Sequence, residues 1–387
     1  MVRLDGRSIE EYEAINKLNA KWILGTFYWG SIERVQGTFD FTYYDTFVNL
    51  ANQNGTKVIG ILAYEAPWLF APGEARPFIS SENIPHFLSY VETTVKHFSG
   101  RVDAWQIWNE PNWIFWKGTN KQFFEFSRLV AERIKETNPD AYIIGGGFMR
   151  VPGGFIRNMY KAGAMENLDG ISFHPYGVNP RGSMKLYDKF LDLLGEINFP
   201  GEVWITEIGY PTSGIYPSRV SLNNLPSYVI KSLAGAAARG ARALIWYELS
   251  DSYNKGEAPN STDSELFFGL IYPDWSRKNG AWAYELCARY LPGSRFAPDL
   301  PLRENVSSNI VSYCFINEST GYNALILWND RNRTQSINLS LSSVVTLHDI
   351  STGNSNSIHG STTLEISREP VFLTWQGNAV PEIIISQ

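Results

Sequence analysis

Apolar residues between residue 8 and about residue 291 follow two spacings that alternate along the chain. Stretches with an apolar residue at every third or fourth position, such as 9–18, 43–53 and 84–98, predict amphipathic helices. Short stretches that are apolar throughout, such as 57–64 and 203–206, predict strands buried on both faces. Buried strands that alternate with helices indicate a parallel sheet, and a repeat of this length favours a (β/α)₈ barrel over a doubly wound sheet.

The pattern predicts the position of each barrel element. The predicted strands are 21–28, 57–64, 102–107, 141–147, 170–173, 203–206 and 241–246, and the predicted helices are 9–18, 43–53, 84–98, 123–136, 155–162, 185–194, 227–239 and 278–290. The first strand of an eight-stranded barrel must precede the helix that begins at Ile9, where only Met1–Asp5 is available. Gly145-Gly146-Gly147 closes a strand and forms no GxGxxG phosphate loop, which counts against a doubly wound nucleotide-binding sheet.

The pattern changes after Pro292-Gly293. Beyond this point, short alternating stretches separated by Gly, Asn, Ser and Thr predict a small all-β sandwich. Its predicted strands are 310–316, 322–328, 335–341, 344–349, 361–366 and 370–375. The sequence therefore predicts a (β/α)₈ barrel at 1–295 and a β-sandwich at 296–387, to which we assign an accessory, structural role.

Composition and charge narrow the classes of function. The 387 residues carry a net charge of −6 without a long run of Lys and Arg, so nucleic-acid binding, which usually needs a basic patch, is not predicted. No stretch of about 18 apolar residues occurs, so no membrane span is predicted. The 13 Trp, 20 Tyr and 22 Phe fit either a large aromatic core or a cleft whose rings stack on sugars.

Cysteines and glycosylation sequons bear on the location of the protein. Cys287 and Cys314 fall in the last predicted barrel helix and in a strand of the sandwich. A disulfide would join the two domains, but two free buried thiols are the expectation, and two cysteines are too few for a zinc site made of cysteines alone. Six Asn-x-Ser/Thr sequons fit either a glycosylated protein or chance in a segment rich in Asn, Ser and Thr. We expect an extracellular or cell-surface protein, although Met1–Asp5 begins no signal peptide.

Two glutamates end predicted strands. Glu110 follows the strand at 102–107, and Glu207 follows the strand at 203–206. In a (β/α)₈ barrel the carboxyl ends of the strands meet on one face, where active sites lie. Counting strands places Glu110 after the fourth and Glu207 after the seventh. Two such carboxylates are what cleavage of a glycosidic bond needs, because one gives a proton while the other attacks or guides water.

The residues around both glutamates resemble motifs of the clan A retaining glycoside hydrolases. Trp105-Gln106-Ile107-Trp108-Asn109-Glu110-Pro111-Asn112 is similar to the acid/base motif, and Ile205-Thr206-Glu207-Ile208-Gly209 is similar to the nucleophile motif. The longer form, with Trp116 shortly after, is most similar to glycoside hydrolase family 39, which contains β-xylosidases, α-L-iduronidases and endo-acting enzymes that cut exopolysaccharides. The resemblance covers residues 8 to about 375 and implies a barrel followed by a β-sandwich.

The resemblance implies roles for three residues of these motifs. Glu110 would be the general acid/base, and Glu207 the nucleophile of a double displacement through a covalent glycosyl-enzyme. Asn109 would bond the 2-hydroxyl of the sugar, an interaction that strengthens in the transition state.

Further residues are expected to line the substrate cleft. His174-Pro175-Tyr176 is similar to the clan's His-x-Tyr, in which Tyr176 would orient the nucleophile and His174 would line the pocket. Trp246 is similar to the aromatic platform under the substrate. Aromatic residues that follow other predicted strands are further candidates for sugar contacts, each with plain packing as the alternative: Trp29, Tyr64, Trp68 and Trp113.

One position departs from the clan's pattern. The clan usually carries an Arg on the second strand that supports the nucleophile, and here Leu24 holds that place. Support must come from another cation or from hydrogen bonds alone. We expect donors around Glu207, which must be ionised to attack, and an apolar setting that keeps Glu110 protonated. In a retaining enzyme the two carboxyl groups would lie about 5–5.5 Å apart.

Two other functions are compatible with the same residues. One is a transglycosylase, in which a sugar acceptor replaces water, and the other is a barrel that binds polysaccharide without cleaving it. The presence of both Glu110 and Glu207 favours an enzyme. A metal-dependent hydrolase is not predicted, because the five histidines form no His-x-His or His-Glu-x-x-His motif. We therefore expect a carbohydrate substrate and no cofactor or metal.

Overall fold

Strands and helices alternate in the first part of the protein. The computed structural model describes residues 9–70, 79–253, 261–298, 309–377 and 382–384. The strands of this part are β1 (Trp22–Tyr28), β2 (Lys57–Ala63), β3 (Ala104–Ile107), β4 (Ile143–Met149), β5 (Gly170–His174), β6 (Glu202–Ile208) and β7 (Leu244–Trp246). The helices are α1 (Ile9–Lys17), α2 (Trp29–Ile32), α3 (Thr42–Gln53), α4 (Ile84–His97), α5 (Asn120–Thr137), α6 (Gly153–Lys161), α7 (Pro180–Glu196), α8 (Leu225–Ala238) and α9 (Asn279–Tyr290).

These strands form one parallel sheet in the order β1-β2-β3-β4-β5-β6-β7. Leu24 of β1 pairs with Ile59 of β2, and parallel pairing continues through the sheet, with shifts in register between β4 and β5 and between β6 and β7. Because β1 also approaches β7, the sheet is nearly closed, and the predicted barrel of alternating strands and helices is confirmed. The strand predicted within Met1–Asp5 lies outside the described residues.

Large aromatic side chains pack the amino-terminal end of the barrel. Trp22 and Trp204 meet edge to face with 5.1 Å between ring centroids, and Tyr142 packs against Trp204 at 5.6 Å. The helices cover the outer face of the sheet, so the strands are apolar on both faces. Many of the rings counted in the sequence therefore belong to the core.

The second part of the protein is an antiparallel β-domain, as predicted. Its strands are β8 (Arg295–Phe296), β9 (Ile310–Ile316), β10 (Tyr322–Asn329), β11 (Gln335–His348), β12 (Ser355–Ile366), β13 (Val371–Gln376) and β14 (Glu382–Ile384). The order is β12-β11-β13-β10-β9-β8, with β14 beside β11. The two strands predicted at 335–341 and 344–349 are one long strand, because the polar break between them is a shift in register between Leu341 and Val345.

The two parts of the molecule pack against each other. Phe315 and Phe372 of the β-domain belong to the same buried cluster as the barrel residues. Arg239, which follows α8, donates a hydrogen bond to the hydroxyl of Tyr313 (3.2 Å). These contacts fit the structural role expected of the β-domain. Strand β8 spans the predicted boundary at 295/296.

Cys287 and Cys314 are both buried and free, as expected. Burial raises the pKa of Cys314 to about 12, so this thiol is not ionised near neutral pH. Among the described residues, no helix combines the length and the apolar character that crossing a membrane requires.

Candidate active site

The turn that follows β3 carries Glu110. Trp108 and Glu110 have φ angles of 63° and 45°, a left-handed backbone that residues other than glycine adopt only where their surroundings hold it. The amide of Glu110 donates to the carbonyl of Gly147 in β4 (3.0 Å), and the amide of Trp113 donates to the carbonyl of Glu110 (3.0 Å). The turn is therefore fixed from both sides, and the Glu110 side chain is buried.

Glu207 comes to the same place from the end of β6. It lies one residue before the end of that strand and is half-buried. Because β3 and β6 are three strands apart in a nearly closed sheet, their carboxyl ends face each other across the barrel. One carboxylate oxygen each of Glu110 and Glu207 and one ring nitrogen of His174 lie within 4.8 Å of one another. This spacing fits the pair of about 5–5.5 Å in retaining glycosidases and not the pair of about 6.5–9.5 Å in inverting ones.

Two side chains from the end of β5 and the turn after it contact the glutamates. His174 Nδ1 lies 2.7 Å from Glu110 Oε1, and His174 Nε2 lies 3.3 Å from the hydroxyl of Thr206. The hydroxyl of Tyr176 donates to Glu207 Oε1 at 2.6 Å. The sequence places all four of Glu110, Glu207, His174 and Tyr176 in one site, and the structure brings them together.

The electrostatics of the pair differ from what the sequence predicts. Burial raises the pKa of Glu207, whereas we expected hydrogen bonds to keep it low. The charge of His174 and the hydrogen bond from Tyr176 act in the opposite direction. Burial lowers the pKa of His174, but the carboxylates of Glu207 and Glu110 outweigh burial, so that the pKa of the ring is raised. His174 is therefore a basic group close to both Glu207 and Glu110.

A buried polar network under the site was not predicted from the sequence. Gln106 and Ser172 are completely buried. The Ser172 hydroxyl donates to Gln106 Oε1 (3.1 Å) and accepts from the amide of Gly147 (2.6 Å), while Gln106 Nε2 donates to the carbonyl of Trp108 (2.9 Å). The network holds the backbone on both sides of the Glu110 turn. A Gln in the middle of the apolar stretch 102–107 is the signal that could have revealed it.

Gly147 is required at the centre of this network. Its φ angle is 63°, and a Cβ there would lie 2.8 Å from Gln106 Nε2 and 3.2 Å from His174 Nε2. Both the backbone conformation and the lack of space exclude a side chain. The glycines that the sequence places at the end of a strand therefore allow Glu110, Gln106 and His174 to approach one another.

Asn109 and Tyr64 lie beside the glutamates. The side chain of Asn109 lies beside the hydroxyl of Tyr64 and lowers its pKa, whereas the charges of Glu110 and Glu207 raise it. Burial raises the pKa of Tyr64, so it is a neutral hydroxyl group at physiological pH. Two of the predicted sugar-contacting residues therefore adjoin the reacting centre.

Two of the predicted cleft tryptophans are core residues, and the sequence-based expectation for them is corrected. Trp29 has no exposed surface, and its Nε1 donates to the buried Glu33 (2.6 Å). Trp246 is 3% exposed and packs against Tyr210, so neither of its ring faces is open to a sugar. Trp29 directly follows β1 and Trp246 is the last residue of β7, but the side chains of both are buried in the protein.

Trp68 and Trp113 have different surroundings. Trp68 is half-buried against Trp29, and its Nε1 donates to the carbonyl of Glu33 (2.8 Å). Trp113 is exposed, three residues after Glu110. Trp113 is therefore close to Glu110 along the chain, and Tyr64 lies beside Asn109, the neighbour of Glu110.

The loops beyond β6 and β7 are joined into one wall beside Glu207. The hydroxyls of Tyr216 and Tyr247 donate to the two oxygens of Glu265 at 2.8 and 3.1 Å. The amide of Thr212 donates to the carbonyl of Phe267 (3.0 Å). We call Thr212, Tyr216, Tyr247, Glu265 and Phe267 the nucleophile bank. Tyr247, which the sequence analysis did not single out, directly follows Trp246.

A buried ion pair supports the nucleophile bank. Lys278 Nζ lies 2.6 Å from Asp251 Oδ1 and donates to the hydroxyl of Thr212 (3.0 Å). Asp251 also accepts from the amide of Gly269 (2.9 Å). The pair therefore joins the segment after β7 to the segment before α9.

The cluster of Glu110, His174 and Glu207 defines the chemistry available to this site. Among the described residues it is also the one group whose donor atoms lie close enough together for a cation to bind. The carboxylates of Glu207 and Glu110 raise the pKa of His174, which favours the protonated form of the ring. The arrangement is therefore suited to proton transfer and nucleophilic attack by two carboxylates.

Comparison with known sequences gives one partial match. The endo-1,4-beta-xylanase B of Thermotoga neapolitana is 28% identical over 152 residues, which is 35% of this chain and 42% of that protein. The match spans less than half of the length of this curated relative. No protein-family model matches the chain.

Comparison with solved structures gives matches over the whole chain. A family 39 glycoside hydrolase from Bacteroides cellulosilyticus WH2 has a TM-score of 0.78 at 19% identity, covering 100% of this chain and 80% of that one. A beta-xylosidase from Caulobacter crescentus CB15 has a TM-score of 0.69 at 14% identity, covering 97% of this chain and 94% of that one. A family 30 xylanase from Clostridium acetobutylicum has a TM-score of 0.64 at 13% identity, covering 94% and 90%.

These matches confirm the resemblance that the two glutamate motifs indicate. Since they extend over the barrel and the β-domain together, the likeness is one of the complete architecture. This chain therefore has the fold of the family 39 glycoside hydrolases.

Proposed function

We propose that this protein is a retaining glycoside hydrolase that cleaves a carbohydrate by double displacement. The observation that carries the proposal is the approach of Glu110, His174 and Glu207 within 4.8 Å at the carboxyl end of the barrel. Two carboxylates at this spacing leave no room for a water molecule between the sugar and the second carboxylate, so that carboxylate acts as the nucleophile itself.

The first step transfers the sugar to the enzyme. The ionised carboxylate of Glu207 attacks the anomeric carbon, and the bond from that carbon to the leaving oxygen breaks. Glu110 gives a proton to the leaving oxygen. Tyr176, at 2.6 Å from Glu207, holds the attacking carboxylate in place. The product of this step is an ester between the sugar and Glu207.

The second step releases the sugar. The ester no longer carries the negative charge of Glu207, which is the strongest influence raising the pKa of His174. The Glu110–His174 pair therefore loses a negative neighbour, and Glu110 remains as a carboxylate. It takes a proton from water as the water attacks the anomeric carbon, and Glu207 leaves as a carboxylate. Two inversions at one carbon retain its configuration.

The similar proteins support β-linked sugars as the substrate class. Their names include a beta-xylosidase and xylanases. Xylosides are therefore the first substrates to test.

The test measures release of 4-nitrophenol from a panel of 4-nitrophenyl β-glycosides, beginning with the xyloside. We expect turnover by the wild type and a loss of kcat/KM of roughly 10⁵-fold or more in Glu207→Ala, because the covalent route is closed. Glu202→Ala is the matched control. It changes a glutamate at the opposite end of the same strand, where Glu202 pairs with Tyr142 and Arg242, and we expect it to keep the activity.

The configuration of the first product separates the proposal from its alternatives. Proton NMR during turnover is expected to show the same anomer in product and substrate. An inverted product, or full activity in Glu207→Ala, would remove the proposed mechanism. A barrel that only binds polysaccharide would show binding without turnover on the whole panel.

A further inference from the structure

Three consecutive large apolar residues near Glu110 are exposed. Trp113, Ile114 and Phe115 expose 58%, 59% and 39% of their surfaces. A cluster of exposed apolar side chains beside a site is a mark of a binding surface, whereas scattered exposed residues need no explanation. These three are adjacent in sequence and directly follow the turn of the proposed acid.

This run is held in a fixed position relative to Glu110. At one end, the amide of Trp113 donates to the carbonyl of Glu110 at 3.0 Å. At the other end, the carbonyl of Phe115 accepts from Nε1 of the buried Trp108 at 3.2 Å. The apolar surface is therefore held in place by a backbone contact with Glu110 at one end and by the side chain of Trp108 at the other.

Aromatic rings connect the run to the reacting centre. Phe115 stacks on Tyr64 with 5.9 Å between centroids and 29° between planes, and Tyr28 lies 6.0 Å from Tyr64 on another side. Tyr64 in turn contacts Asn109, next to Glu110. We call Tyr28, Tyr64, Trp113, Ile114 and Phe115 the acid bank. It forms a surface that leads from the site outward.

We propose that the acid bank binds a neutral sugar unit on the leaving-group side of the bond that is cut. This proposal rests on the proposed function and extends it. The side follows from the chemistry, because the acid must lie next to the leaving oxygen to which it gives its proton. The kind of sugar follows from the side chains, since none of the five carries a formal charge and aromatic faces pack against the apolar face of a pyranose.

A trapped glycosyl-enzyme tests this surface separately from the chemistry. In a 2-deoxy-2-fluoro-β-xylosyl fluoride, Glu207 displaces fluoride and forms an ester with the anomeric carbon, and the fluorine at position 2 slows its breakdown. An added sugar such as xylobiose releases the enzyme when its hydroxyl oxygen attacks the anomeric carbon. The hydroxyl proton passes to Glu110, and Glu207 leaves as a carboxylate. Fluoride is too small to occupy the acid bank, but xylobiose must bind there.

The experiment compares three rates in the wild type and in Trp113→Ala. They are labelling of Glu207 followed by mass spectrometry, reactivation in buffer alone, and reactivation with xylobiose. We expect labelling and reactivation in buffer to change by less than about twofold, and xylobiose-dependent reactivation to fall by about tenfold, the loss that corresponds to removing much of one buried ring face. Phe115→Ala is expected to act in the same direction.

Tyr160→Ala is the matched control, because Tyr160 is an exposed aromatic residue on α6, away from the acid bank. It is expected to leave all three rates unchanged. The inference would be overturned if both Trp113→Ala and Phe115→Ala are labelled normally and xylobiose reactivates them as fast as it reactivates the wild type. That result would leave the proposed function intact. If neither the 2-fluoro xylosyl fluoride nor the 2-fluoro glucosyl fluoride labels the wild type, the inference and the proposed function are both overturned.

Discussion

The two sides of the candidate site are built from different interactions. The nucleophile bank is joined by side-chain hydrogen bonds: Glu265 accepts from two tyrosines, and the buried Lys278 donates to Thr212. The acid bank has stacked rings and exposed apolar side chains, and its position is fixed by the backbone contact of Trp113 with Glu110 and by the hydrogen bond from the Trp108 indole to the carbonyl of Phe115. One side is therefore rigid through polar contacts, and the other offers an apolar surface.

This difference matches what each side has to do under the proposed mechanism. A nucleophile has to meet one carbon atom in one direction, and an error of about 1 Å costs on the order of 10²-fold in rate. A leaving group is held less strictly, because its oxygen needs only a proton donor within hydrogen-bond reach. Side-chain hydrogen bonds suit the positioning of the nucleophile, and stacking on aromatic rings, which tolerates small shifts, suits the leaving group.

After Glu207→Ala, the largest effect is expected from Glu110→Ala, which removes the proton donor of the acid side. On substrates with a poor leaving group, such as xylo-oligosaccharides, we expect kcat to fall by roughly 10²–10⁴-fold. On 2,4-dinitrophenyl glycosides the first step is expected to be nearly unchanged, since this leaving group needs no proton. Pre-steady-state bursts of dinitrophenol measure that step directly. Equal losses on both kinds of substrate would argue against the acid role.

Next in size is the effect of Lys278→Met on stability. The Lys278 and Asp251 side chains are 0% and 2% exposed, so the variant leaves a buried carboxylate without its cation. We expect the free energy of unfolding to fall by about 3–5 kcal/mol. Urea denaturation followed by tryptophan fluorescence measures the change.

The double variant Asp251→Leu/Lys278→Met is the control for this prediction. It removes both charges, and we expect it to recover a large part of the lost stability. If the double variant is as unstable as Lys278→Met alone, the loss comes from the contact of Lys278 with Thr212 and not from the unpaired charge.

A smaller effect is expected from Tyr176→Phe. The variant removes a hydrogen bond to a charged group, which corresponds to a loss of roughly 10–100-fold in kcat/KM. Burial already raises the pKa of Glu207, and the Tyr176 hydroxyl lowers it. Without the hydroxyl the pKa of Glu207 rises further, so the acidic limb of the pH profile of kcat/KM is expected to move to higher pH. A limb that stays in place or moves to lower pH would contradict this role.

The smallest effect is expected from Glu265→Ala, which frees the hydroxyls of Tyr216 and Tyr247. Glu265 is exposed, so we expect a loss of roughly threefold to tenfold in kcat/KM on aryl glycosides. Glu265→Gln keeps an acceptor for one tyrosine and should lie between the wild type and Glu265→Ala. Unchanged rates in both variants would show that the rigidity of the nucleophile bank does not depend on this carboxylate.

The hydrophobic pattern of the sequence was sufficient to predict most of the fold. Parallel strands buried on both faces give continuous apolar stretches, and each predicted barrel strand from residue 21 to residue 246 corresponds to a strand within a few residues. The pattern failed at β11, where polar residues in a register shift look like the end of a strand. A bulge and a turn use the same residue types, and only the pairing partner distinguishes them.

The sequence located the residues with defined chemistry better than those that support them. Four of these residues lie at or just after the carboxyl ends of strands, and parallel strands bring such positions to one end of the barrel: Glu110, Glu207, His174 and Tyr176. The direction of a side chain at the end of a strand depends on the local backbone angles, so the sequence did not show that Trp246 is buried. Contacts between loops, such as that of Glu265 with Tyr216, join residues far apart in sequence and leave no local pattern.

The exposure of Trp113 makes it a spectroscopic reporter. All 13 tryptophans lie in the described residues, and Trp113 is the only one among the exposed large apolar side chains. Its indole emits at longer wavelength than indoles shielded from water, and acrylamide quenches it first. A molecule that covers this ring would shift the emission to the blue and protect it from the quencher. Occupancy of the acid bank can therefore be followed by light emission alone, in an enzyme that has no turnover.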